Sequence, residues 1–266
     1  NFRKDGMVTM ARIDLNSDLG ESFGAWKMGM DREVLPHVTS ANVACGFHAG
    51  DPVVMVKTVK AACEAGVAVG AHPGYPDLVG FGRRNMACSP DEVYADCLVQ
   101  IGSLMAVCRA AGLRLQHVKP HGALYNQAAK SEPLANAIAW AVKDAGEGLI
   151  LMGLANSLFE PAAAKAGIPF AAEAFADRSY QADGSLTPRS QPGAVIHDAK
   201  LAAGRVVRMA TEGVVETADG RMIHFRPDSI CLHGDNPEAV AMAATIKAAL
   251  LEAGVTVTHL KEVLSA

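Results

Sequence analysis

The residues of this chain that could do chemistry sit in short polar runs separated by apolar stretches. The run Ile-Asp-Leu-Asn-Ser-Asp-Leu-Gly-Glu, residues 13–21, puts Asp14, Asn16 and Asp18 at every second position, so an extended backbone aims all three to one side. In the next, Asn42 precedes Cys-Gly-Phe-His-Ala-Gly-Asp, residues 45–51; Asn42 and His48 share parity, and the glycines permit tight turns. His72 stands in Gly-Ala-His-Pro-Gly, His117, Lys119 and His121 in His-Val-Lys-Pro-His-Gly, Glu173 and Arg178 in Glu-Ala-Phe-Ala-Asp-Arg-Ser-Tyr, and His233 and Asp235 in His-Gly-Asp. Together these types supply general acids and bases, fixed cations and amides that orient a ligand. Any one of them could be a turn or helix cap, as Asp51 before Pro52 is, but six such clusters are a poor fit to independent caps.

Asp18, His48 and His72 also form a one-carboxylate, two-histidine set that could hold a divalent metal, although no H-E-x-x-H or close cysteine pair is present. His117 and His121 are four apart, yet Pro120 between them prevents one helical face from presenting both. Cys45 has the opposite parity to Asn42 and His48 and is expected to point away from them. No P-loop motif occurs and no G-x-G-x-x-G follows a strand, so ATP, if the reaction uses it, is not held in a P-loop of this chain. His37, His197, His224 and His259 lie away from these clusters and receive no role.

Each cluster stands where a short β-rich segment ends. Strands are expected over 11–16, 40–45, 67–71, 114–118, 149–152, 170–175 and 229–232. Between them the capped Ala-rich stretches 52–65, 89–111, 131–145, 156–166, 192–211 and 236–253 read as helices, with Asp51-Pro52 and Ser-Pro-Asp-Glu as start signals and glycines as stops. Seven β-then-α units predict an α/β fold of parallel strands joined by right-handed helical crossovers. Val214 to Phe225 breaks the rhythm as a β-hairpin around Asp219-Gly220, an insertion. Residues 255–259 could add a further strand; whether the sheet closes is left open, and either form places the site at the carboxyl ends of the strands.

The 266 residues carry 24 Lys+Arg against 28 Asp+Glu, a formal charge of −4. A chain of this length buries roughly 75% of its unfolded surface, so one self-sufficient domain over 11–266 is expected. Without a concentrated basic face, nucleic-acid and membrane-surface roles are disfavoured. No apolar stretch reaches the ~20 uninterrupted residues of a membrane span. Residues 1–10 read as a ragged end or expression scar, with Met7 and Met10 as candidate starts. The six scattered cysteines read as reduced thiols of a cytoplasmic protein.

Together with Phe-Gly-Arg-Arg at 81–84, Val-Lys-Pro-His-Gly-Ala-Leu-Tyr-Asn at 118–126 and Cys-Leu-His-Gly-Asp-Asn at 231–236, these runs resemble the LamB/YcsF family in order along nearly the whole chain. The resemblance implies a barrel-like (β/α) fold related to glycoside hydrolases and carbohydrate deacetylases. It also implies an activity, the ATP-dependent opening of 5-oxo-L-proline to L-glutamate, with Mg-ATP as co-substrate, by a 5-oxoprolinase complex in which the family member works with subunits B and C. For that chemistry Lys119 and Arg178 would hold anions, Asp18 or Glu173 would act as base, and His72 or His121 would protonate the departing nitrogen. Asn16, Asn42 and Tyr125 would orient the ring, and His48, His233 and Asp235 would bind substrate. Two rivals remain: a metal-dependent carbohydrate deacetylase, and a non-catalytic ligand-binding subunit.

Overall fold

The computed structural model describes residues 11–265; the N-terminal reading of 1–10 lies outside them. In chain order the elements are β1 (Arg12–Leu19), α1 (Asp31–Val34), β2 (Ser40–Ala44), α2 (Pro52–Glu64), β3 (Ala68–His72), α3 (Pro90–Ala110), β4 (His117–Val118), α4 (Gly122–Ala128), α5 (Glu132–Ala145), β5 (Ile150–Leu154) and α6 (Phe159–Ala166). They continue as β6 (Phe170–Phe175), α7 (Ala199–Glu212), β7 (Val214–Glu216), β8 (Met222–His224), β9 (Ser229–Cys231), α8 (Pro237–Glu252), β10 (Thr256–Val257) and α9 (Leu260–Leu264). Strands β1 to β6 and β9 pair in parallel, and β9 pairs back onto β1, so the sheet closes into a seven-stranded barrel. The open question of closure is thereby answered. The short segment 255–259 does supply a strand, β10, which pairs with Arg12 and Ile13 below the point where β9 takes over that edge.

The caps behave as their side chains dictate. Asp51 accepts from the backbone N–H groups of Val53 and Val54 and starts α2. Ser89 and Glu92 form a reciprocal capping box at the start of α3. By length and composition α3 could cross a membrane; here it packs against α5 on the outside of the barrel, burying Val93, Cys97, Ile101, Leu104 and Cys108. The hairpin at 214–225 forms an antiparallel β7–β8 pair.

Some element bounds differ from the expected ones. β1 runs three residues past Asn16, to Leu19, because its far end pairs with β2 from Asn16 onward. Helix α7 begins at Ala199 rather than Pro192, capped by Asp198, because residues 176–198 form a loop whose bridges Arg178–Val195 and Tyr180–Leu186 hold it over the barrel mouth. Helix α4, absent from the sequence reading, starts immediately after His121.

Along β1 the odd residues Ile13, Leu15 and Leu19 are buried in the apolar core shared with the helices. Asp14, Asn16 and Asp18 turn inward, so the barrel interior is polar and must satisfy its groups internally.

Candidate active site

At the base of the barrel interior, Asp14 accepts hydrogen bonds from Thr39 Oγ1 and Ser40 Oγ, each at 2.7 Å, and from Ser229. Burial outweighs these donors and pushes its carboxyl up to about 6. One level higher, Asn42 Nδ2 donates to both Asn16 Oδ1 and Asp18 Oδ1 at 2.8 Å. His117 Nε2 donates to Asn42 Oδ1 at 2.7 Å, and burial pushes this histidine down to about 3, so it is neutral. Gly70 on β3 makes room: a Cβ there would run into the His117 ring.

Lys119, just past β4, tops this network. Its Nζ lies 3.0 Å from Asp18 Oδ1, 2.7 Å from Glu173 Oε1 and 3.3 Å from Cys231 Sγ. Burial opposes its charge, but Asp18 foremost and then its other neighbours hold the ammonium well above the usual lysine range. Glu173 Oε2 accepts from Tyr125 Oη at 2.7 Å, so both carboxylate oxygens are engaged. Burial likewise opposes charge on Asp18, yet His72 and Lys119 hold its carboxyl well below the usual carboxylate range. A half-buried, ionised Asp18 is the result.

Beside Asp18 stands a histidine cluster whose tautomers are fixed by the backbone. His72 Nδ1 donates to the Lys119 carbonyl and His121 Nε2 to the Phe81 carbonyl, both at 2.8 Å. The remaining nitrogens, His72 Nε2 and His121 Nδ1, therefore face each other at 3.0 Å, and His72 Nε2 also stands 3.3 Å from Asp18 Oδ2, an arrangement that a proton or a metal cation among them satisfies. His48 stacks on His121 with ring centroids 3.7 Å apart, and neither of its buried ring nitrogens has a hydrogen-bond partner. Glu21 Oε1 completes the group, 3.6 Å from His48 Nε2 and 3.7 Å from His121 Nδ1. Burial, with the charge of Asp18 adding to it, raises the Glu21 carboxyl; burial and the other histidines hold His48 and His121 well below the usual range. One donor atom from each of Glu21, His48, His72 and His121 falls within 4.8 Å of every other, the donor set of a divalent metal.

The LamB/YcsF family model matches residues 13–265. The chain belongs to this family. Its LamB/YcsF relatives include the 5-oxoprolinase A subunit of Bacillus subtilis (strain 168), 54% identical over 253 residues that cover 95% of this chain and 98% of that one. The protein of the same name from Pyrococcus abyssi is 53% identical over 94% of this chain and 98% of its own. Among solved structures, the Lactam Utilization Protein from Thermus thermophilus superposes with a TM-score of 0.88 at 52% identity, over 93% of this chain and 99% of that one.

A cavity of about 990 Å³ opens above Lys119, at the carboxyl ends of the strands. Of the LamB/YcsF residues singled out in the sequence, Asp18, His72, Lys119, His121, Tyr125, Arg178, His233 and Asp235 line it. Asn16, Asn42, His48 and Glu173 do not: they are fully buried beneath or behind the lining, where they position Asp18, Lys119 and His121. The Arg178 guanidinium is tied by the backbone carbonyls of Thr187 and Ala194, at 2.6 and 3.3 Å. His233 is paired through Nδ1 with Asp177 at 2.6 Å; burial opposes its charge, but Asp177 raises its pKa overall. Of the metal set expected as Asp18, His48 and His72, the two histidines stand together with Glu21 and His121, and Asp18 stands beside them. As its parity implied, Cys45 turns into the apolar core, and burial pushes its thiol up to about 12. Sequence reading missed Glu21, Arg83 and Arg189, which line the cavity from irregular segments where parity has no meaning.

Proposed function

We propose that this chain is the A subunit of an ATP-dependent 5-oxoprolinase, which opens 5-oxo-L-proline to L-glutamate while ATP becomes ADP and phosphate. The observation that carries this reading is the end-to-end identity of about half with 5-oxoprolinase A subunits. Subunits B and C are the partners this name calls for. Six free thiols accord with a cytoplasmic setting.

The chemistry fits the site. Phosphorylation of the lactam oxygen by ATP makes the ring carbon electrophilic, and a water oxygen then bonds to that carbon. Asp18 Oδ2 takes the water's proton, its carboxylate being kept ionised by Lys119 and His72. As the carbon–nitrogen bond breaks, its electron pair stays on nitrogen, and Asp18 returns the proton there. The new hydroxyl gives its proton to the freed amine as its carbonyl forms, which leaves an acyl phosphate, and a second water cleaves that anhydride to glutamate and phosphate. Lys119 faces the oxygen that gains negative charge. Glu173, one of two expected bases, is engaged on both oxygens below the cavity and holds Lys119 and Tyr125 instead. His72 and His121, the expected acids, each commit their N–H to a backbone carbonyl.

The facing nitrogens of His72 and His121 and the orphaned nitrogens of His48 fit a divalent cation held by Glu21, His48, His72 and His121. When bound, it would supply Lewis-acid polarisation of a carbonyl oxygen. The same cluster is what favours the deacetylase alternative; acetate release that needs metal and no ATP would support it. The direct test is glutamate formation from 5-oxoproline and Mg-ATP by this chain with its B and C partners, against the same mixture without this chain.

A further inference from the structure

One cation of the cavity wall, Lys119, is neutralised by the adjacent Asp18 and Glu173. Three arginines of the same wall are not. Among the described residues Arg83, Arg178 and Arg189 have no carboxylate oxygen within 4.0 Å, although Asp235 shares their wall. Arg83 comes from the loop after β3 and lies over the Phe81 ring, 4.9 Å from its centroid. Arg178 and Arg189 come from the loop between β6 and α7. Backbone carbonyls fix the Arg178 guanidinium without cancelling its charge. Arg189 Nη2 reaches His233 Nε2 at 3.2 Å and lies where the large cavity meets a second one of about 460 Å³. Beyond burial, the charge of Arg189 disfavours that of both Arg83 and Arg178, offset in part by Glu21, Asp235 and Asp18 at Arg83 and by Asp177 at Arg178. The three line one cavity, where a bound anion relieves the repulsion that Arg189 exerts on the other two.

We propose that Arg83, Arg178 and Arg189 form an anion subsite at the cavity mouth, distinct from the Asp18–Lys119 centre, and that it takes a phosphoryl group. Forked guanidinium donors match the oxygens of a phosphoryl dianion, and three of them exceed what the single carboxylate of a lactam acid calls for. Resting on the 5-oxoprolinase reading, the ligand is the phosphorylated lactam, held by its phosphoryl group while its ring reaches Asp18. The cavity, near the top of the ~300–1,000 Å³ range of small-molecule sites, has room for both ends.

The test is calorimetric titration of the full chain with inorganic phosphate, 5-oxoproline and ATP separately. Phosphate should bind the wild-type chain, and Arg83→Met and Arg189→Met should each weaken it roughly ten-fold or more, the scale of one lost charge-assisted hydrogen bond. Lys60→Met, an exposed cation of α2 paired with Glu64 and outside the cavity, should leave phosphate affinity within about two-fold. No phosphate binding, or equal binding by folded arginine variants, would overturn the subsite. ATP binding ten-fold tighter than phosphate and lost in Arg189→Met would overturn the assignment to a phosphorylated lactam. These outcomes are read without turnover, so they stand apart from the reconstitution assay: glutamate formation unaffected by both arginine variants sinks the subsite alone, and no glutamate from the wild-type mixture sinks the oxoprolinase reading.

Discussion

His72 Nε2 and His121 Nδ1 face each other at 3.0 Å while their other ring nitrogens donate to the carbonyls of Lys119 and Phe81. Two lone pairs at that distance repel unless a cation lies between them. With His48 and Glu21 alongside, the chain is expected to bind about one equivalent of a divalent ion such as Zn²⁺ or Co²⁺. Metal analysis and the visible absorption of bound Co²⁺ check this, and His121→Gln should lower affinity at least about ten-fold. A wild-type chain that takes up no ion would leave a shared proton as the only occupant.

Lys119 bridges Asp18 and Glu173. Replacing it with Met removes the ammonium that both carboxylates share, and the expected loss is roughly 3–5 kcal/mol in urea unfolding. Adding Glu173→Leu should return part of it, because the buried charge that remained is then gone. A single-variant loss below about 1 kcal/mol would contradict this picture of the interior.

Gly82 sits at φ +60, and a Cβ there would lie 2.7 Å from His48 Cβ and 2.8 Å from His121 Cδ2. Gly82→Ala therefore combines a left-handed backbone with a clash against the stacked histidines. A cost of about 1–3 kcal/mol is expected, together with weakened metal binding. A variant as stable as wild type would show that this loop does not clamp the rings.

Asp14 carries a pKa of about 6 in the fold against 3.8 ordinarily. Between about pH 4 and 6 the unfolded chain gives up this proton before the native one does. Stability from this residue therefore falls as pH rises through that window, by about 3 kcal/mol in all, and is level above it. Asp14→Asn should flatten that part of the pH dependence, measured by chemical unfolding at about pH 4.5 and 7. An unchanged slope would assign it elsewhere.

Much of this was legible in the chain. The period of two along β1 placed Asp14, Asn16 and Asp18 on one face, and the alternation of strands with capped helices pointed to parallel strands with helical crossovers. Depth was not legible. Parity says that Asn16 and Asp18 point the same way, but only barrel closure decides that Asn16 is covered by Ser229, Asn42 and Lys119 while Asp18 borders the cavity. Glu21 escaped because Gly20, at φ +71, turns the chain out of the strand just before it. Arg83 and Arg189 belong to loops whose path is set by contacts distant in sequence, such as the backbone bond from Ala123 to Gly82.

Asp18 as the group that moves the proton in lactam opening is tested most directly by glutamate formation from 5-oxoproline and Mg-ATP in the reconstituted complex carrying Asp18→Asn in this chain. Asparagine keeps the size and the contact with Asn42 but cannot accept a proton, so a loss of roughly 10²-fold or more in turnover is predicted, with the fold and partner binding retained. Glutamate formed at the wild-type rate by the folded variant would contradict that role.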